Sequence, residues 1–138
     1  MTYRVYISLD EKIKEKAHDI GACIIAYIEY RLNLRVILHQ FTSEHREIII
    51  YTISREEDEA TRIYELLSPN KGAGVIREIT LTQGYRTDNR TIGDPKGDVW
   101  RGRYYRAISG YFLFALRKNP GTFGREIELS TTIKSMGL

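Results

Sequence analysis

Cysteine occurs once in the 138 residues, methionine twice, glutamine twice and tryptophan once, and the scarcities exclude whole classes of protein. A lone Cys23 rules out an internal disulfide and any zinc centre built on paired cysteines. Its neighbours Ala22, Ile24 and Ile25 predict a buried, inert thiol rather than a nucleophile. Long apolar runs are missing as well. The run from Tyr111 to Leu116 is far too short to cross a bilayer, and the alternating residues after Met1-Thr2-Tyr3-Arg4 do not resemble a signal peptide. A soluble, intracellular protein with no membrane contact is expected. No three potential ligands occur at a familiar metal spacing, and no nucleophile-elbow motif is present. Gly93-Asp94-Pro95-Lys96-Gly97-Asp98 lacks the Gly-Lys-Ser/Thr order of a phosphate loop and reads as turns. No cofactor is expected, and enzymatic activity is the less expected outcome.

What is present is ordinary in amount and uneven in distribution. Apolar residues make up 42% and charged residues 28%, the balance of a soluble globular protein, and the length suits one domain with one core. Few Gln, Met and Cys beside many Ile, Arg, Glu and Tyr match proteins from hot environments. The formal net charge is +3, yet residues 85–125 hold nine Arg or Lys against three Asp, a local excess of +6 that leaves −3 for the rest. Eight of the fifteen aromatic residues lie in the same stretch.

Hydrophobic periodicity gives the elements. Tyr3 to Leu9 alternates as a strand, and Ser8 or Asp10 offers a cap for a helix whose inner stripe is Ile13, Ala17, Ile20, Ile24 and Ile28. Gly21 interrupts that stripe. Residues 34–41 and 47–53 read as two strands joined by a polar hairpin loop. Ser54-Arg55-Glu56-Glu57 opens a second helix with Ala60, Ile63, Tyr64 and Leu67 inward, and residues 68–74 end it. The acidic Glu56, Glu57, Asp58 and Glu59 suit the positive end of that helix. Residues 75–82 are a fourth strand. The order β-α-β-β-α-β predicts an α+β fold: a ferredoxin-like βαββαβ antiparallel sheet with two helices on one face, over residues 1–82. Residues 83–99 read as a long loop. Residues 100–138 form a C-terminal extension in which Asn119-Pro120-Gly121-Thr122 predicts a turn joining 111–117 to 123–131 as a β-hairpin. Trp100, Tyr104, Ile108, Phe112 and Ala115 keep helical spacing, but Gly102 and Gly110 fall among them, and the hairpin is the reading preferred.

The chemistry concentrates around Trp100-Arg101-Gly102-Arg103-Tyr104-Tyr105-Arg106. Guanidinium groups neutralise phosphates and aromatic rings stack on unpaired bases, so interleaving the two predicts nucleic-acid binding, to DNA or RNA. The candidate contacts are Arg86, Arg90, Trp100, Arg101, Arg103, Tyr104, Tyr105 and Arg106. A small domain of this kind suits a virus or mobile element. The alternative is an interaction protein whose aromatics anchor a homodimer; the bland reading is a charged edge strand with core aromatics.

His45-Arg46-Glu47 is a second constellation, since residues two apart on a strand point the same way and His45 with Glu47 could hold a divalent metal. In this respect the chain resembles the rolling-circle replication initiators and single-tyrosine transposases, which place a His-apolar-His pair on a central strand and use a later tyrosine. The resemblance implies metal at His45 and Glu47 and a nucleophile at Tyr104 or Tyr105. Here Glu47 stands where the family has its second histidine, Arg46 where it has an apolar residue, and no Tyr-x-x-Lys occurs. His18, between Ala17 and Asp19, is expected on an exposed helix face.

Overall fold

The computed structural model describes residues 2–36, 38–42, 46–53, 57–83, 99–119, 124 and 126–138. Nine regular elements are described: β1 (Thr2–Leu9), α1 (Ala17–Leu32), β2 (Leu38–Thr42), β3 (Glu47–Ile53), α2 (Glu57–Leu67), β4 (Ile76–Gln83), β5 (Val99–Arg101), α3 (Gly102–Lys118) and α4 (Leu129–Ser135). The fold is mixed α and β. The strands form one sheet in the order β4-β1-β3-β2-β5, and every neighbouring pair is antiparallel.

Alternation assigns the two faces of the sheet. Val5, Ile7 and Leu9 of β1 stand in one core with Ile48 and Ile50 of β3 and Phe41 of β2. The helices cover this face and supply most of the remainder of that core, with Ile76 and Ile79 of β4, Tyr3 of β1 and Val36 completing it. Register partners share a face, so Tyr6 and Ile49, which pair across β1 and β3, lie on the other face, where they form a small cluster of their own. The capping expected near the first helix is divided. Asp10 Oδ1 accepts from the Lys12 amide at 2.9 Å and so caps a short 3-10 turn over Glu11–Lys16, whereas Ser8 remains in β1.

Helix α1 is the hub. Ala17, Ile20, Ile24 and Ile28 of its stripe are buried as expected, whereas Ile13 falls in the preceding 3-10 turn and is only partly buried. Ala22, Cys23, Ala26, Tyr27, Glu29 and Tyr30 are buried too, so the helix is enclosed on nearly every side. Burial raises the Cys23 thiol from its ordinary 9.0 to about 12, which leaves it inert at neutral pH. Asn33 ends the helix in the left-handed region (φ 52°), a frequent C-terminal device, and Arg62 of α2 donates to the Leu32 carbonyl at 3.2 Å. Helix α2 turns Ala60, Ile63 and Leu67 inward as its spacing predicts. His18 departs from expectation, for its ring packs edge-on against Phe41 at 5.8 Å between centroids.

The C-terminal extension differs most. Residues 111–117 are not a hairpin arm but the second half of α3, and the described part of 123–131 ends in the first turns of α4. The physical reason is α1: a helix apolar on every side needs a helical partner, and α3 lies along it with Ser109, Phe112, Leu113 and Leu116 buried. Leu129 and Ile133 of α4 extend the same cover. Gly110 sits inside α3 with nothing within 4 Å of where a Cβ would stand. Gly110→Ala is therefore expected to stabilise the protein by about 0.5–1 kcal/mol, because the helix keeps its geometry while the unfolded chain loses freedom. A higher urea midpoint at unchanged slope is the expected readout; a lower one would contradict a helix at this position.

Candidate functional site

The basic-aromatic segment begins on the sheet and continues into a helix. Strand β5 pairs with β2 so that Arg101 stands opposite Gln40, Trp100 opposite Phe41 and Val99 opposite Thr42. Position 100 thus shares a register row with Phe41, on the helix-covered face, while positions 99 and 101 belong to the other. Gly102 follows at once as the first residue of α3. Arg103, Tyr104, Tyr105 and Arg106 occupy its opening turns, and their side chains, with those of Trp100 and Arg101, lie outside the described set. Arg86 and Arg90, with most of the expected loop, lie outside the described residues.

Beyond those turns the helix has two distinct faces. Ser109, Phe112 and Leu116 follow an i, i+3, i+7 course and are buried against the core. Tyr111 and Phe114 point away and are 71% and 64% exposed. Ala107, Arg117 and Lys118 are exposed with them. Helical periodicity puts backbone positions 103 and 106 on this same outward face. Neighbouring groups brace both exposed rings. Tyr111 meets Phe112 edge-on, with centroids 5.6 Å apart at 71°, and the Lys118 ammonium stands 5.7 Å from the centre of the Phe114 ring. Over its 17 residues α3 contains four Arg or Lys and no Asp or Glu, so none of its cations has a carboxylate partner on the same helix. Tyr111 and Phe114 escape a reading of the sequence that takes 111–116 as a packing run. The period of 3.6 would have singled them out once the segment was assigned as helix.

The His45-Glu47 pair is only half described. Glu47 is buried and accepts from Ser8 Oγ at 3.2 Å, its register partner across β1 and β3; His45 lies outside the described residues. Both Ser8 and Glu47 belong to the sheet face turned away from α3, the helix that carries positions 104 and 105. Among the described residues no group of three His, Cys, Asp or Glu side chains could hold a metal ion. No described helix is long and apolar enough to cross a membrane.

A cleft of about 660 Å³ opens where the ends of α1 and α2 meet α4, lined among others by Tyr27, Arg31, Arg62, Asn70 and Glu128. Its main cation is already engaged. Arg31 donates to the Tyr27 hydroxyl at 2.8 Å, to the Ile127 carbonyl at 2.9 Å and to Glu126 at 3.4 Å, which fastens the C-terminal segment to α1. Burial pushes the Tyr27 hydroxyl above its ordinary pKa, against the opposing pull of Arg31.

The outward face of α3 is therefore the described surface that best combines charge, exposed π-faces and access. Among known proteins, no family model, curated protein or solved structure matches the chain.

Proposed function

We propose that this is a small intracellular nucleic-acid-binding protein that uses the outward face of α3 and the basic segment leading into it. The observation that carries the reading is the exposure of Tyr111 and Phe114 at 71% and 64% on a helix that has cations and no carboxylates. Rings of that size are costly to leave in water, and a uniformly positive helix fits a polyanion. In sequence, a +6 excess falls over residues 85–125, the stretch that leads into and through this helix. The scaffold is a ferredoxin-like body, a reading supported by the order β4-β1-β3-β2 within the sheet and the β-α-β-β-α-β succession. The added strand β5 and helix α3 then form the binding appendage. A single buried thiol suits a reducing compartment.

Salt dependence tests the reading. In anisotropy titrations with labelled DNA and RNA oligonucleotides, affinity should fall log-linearly with salt, losing about 0.7–0.9 in slope for each phosphate contact removed. Arg117→Ala with Lys118→Ala should weaken binding and flatten the slope, and Arg101→Ala with Arg103→Ala and Arg106→Ala should do so further. Absence of binding at low salt, or a slope that ignores both sets of substitutions, would sink the proposal.

A further inference from the structure

We infer that the occupant of the α3 face is a single strand whose unpaired bases stack on Tyr111 and Phe114. The inference rests on the nucleic-acid reading above and makes it specific.

Two rings three residues apart on a helix have Cβ atoms about 5–6 Å apart, close enough to receive bases from one short stretch of strand. Among the described residues, each has one bracing neighbour. Phe112 braces Tyr111 edge-on, Lys118 stands by the Phe114 ring, and both residues remain 64–71% exposed. Arg117 and Lys118, one turn beyond Phe114, supply cations where the strand would leave the rings. A duplex offers no equivalent match, because its base faces are already stacked and only their edges are open in the grooves. Reading edges calls for Asn, Gln or Arg at the centre of the face, whereas the described outward residues over 107–114 are Ala107, Gly110, Tyr111 and Phe114, and the arginines of the helix stand towards its two ends. A second copy of the chain is disfavoured by charge: pairing this face with itself would oppose two helices of four cations each and no acids.

The test uses the full-length protein and three labelled probes of equal length: a single-stranded oligothymidylate, its abasic counterpart with the same sugar-phosphate chain, and a duplex. Wild type should bind the base-bearing single strand most tightly. Tyr111→Leu and Phe114→Leu should each weaken that complex about tenfold, the size of one lost base stack, and leave the abasic and duplex probes unchanged. Tyr111→Phe keeps the ring and should keep the affinity. Arg117→Ala with Lys118→Ala should weaken all three probes together. Both leucine variants change solvent-facing positions, and matching thermal melts confirm that they are folded. If all three probes bind equally and the leucine variants bind like wild type, stacking is overturned while phosphate binding stands. If no probe binds, the nucleic-acid reading itself falls. A dimer in sedimentation that Phe114→Leu dissociates, or ring-dependent binding to anionic vesicles without oligonucleotide binding, would also overturn the inference.

Discussion

Leu116→Ala is expected to destabilise the protein by about 2–5 kcal/mol, whereas Phe114→Ala, two positions earlier, should cost less than about 1 kcal/mol. Leu116 is fully buried and Phe114 is 64% exposed, although both lie in one apolar run. On a strand, residues two apart share a face, so a hairpin arm over 111–117 would bury or expose 112, 114 and 116 together. On a helix, two residues span more than half a turn, so 114 and 116 face opposite ways. The asymmetry therefore reads out the secondary structure as well as the core. Removing the Leu116 side chain leaves a void in the seam between α3 and α1, where surrounding side chains can close in only partly. Truncating Phe114 removes little more than its contact with the Lys118 ammonium. Urea unfolding at constant slope gives the comparison directly. Equal losses at the two positions would contradict the helix.

This pair of residues also shows where the sequence speaks clearly and where it does not. Strand β1 was legible because its two faces differ, Val5 and Ile7 alternating with Arg4, Tyr6 and Ser8, and β3 because its β-branched run at 48–50 marks a strand buried on both sides. Helix α2 was legible because Ala60, Ile63 and Leu67 form a single stripe. The segment around α3 sends conflicting local signals. Gly102 and Gly110 argue against a helix, Asn119-Pro120-Gly121 argues for a turn, and an apolar run of six residues has no decisive period. What settles it is non-local. Residues 22–28 of α1 are Ala-Cys-Ile-Ile-Ala-Tyr-Ile, apolar right round the helix, and a sheet covers only one side of such a helix. The demand for a second helical layer was thus written in α1, some eighty residues before the segment that meets it.

The same conflict explains the partial reading of the site. Trp100 to Arg106 stood out because charge and aromatic residues alternate visibly there. Tyr111 and Phe114 did not, because their exposure exists only once the helix fixes a period. Arg117 and Lys118 stand at the end of the segment that the sequence reading takes as a hairpin arm. With α3 in place they stand exposed on a carboxylate-free helix, Lys118 beside the Phe114 ring, so that charge and exposed rings meet on one helix.

A second large loss is expected on removing the Glu29 carboxylate, about 1–3 kcal/mol for Glu29→Ala. Glu29 lies on α1 at 1% exposure and accepts from the Val36 amide at 2.9 Å. Between them the chain reverses at Asn33, with φ 52°, and returns towards Leu38, the first residue of β2. Losing this acceptor removes a buried hydrogen bond to the Val36 amide, so the connection from α1 to β2 should loosen. Glu29→Gln keeps an oxygen acceptor and should lose less than alanine. The urea midpoint measures the global cost, and hydrogen exchange at the Val36 amide reports the local one. An alanine variant with an unchanged midpoint and an equally protected Val36 amide would show that the carboxylate does not hold the turn. The consequence reaches the proposed binding surface, because β2 is the strand on which β5 pairs and β5 leads without a break into α3. A loosened Glu29–Val36 clasp should therefore weaken oligonucleotide binding even though no residue of the outward face has changed, and Glu29→Gln should recover binding and stability in parallel.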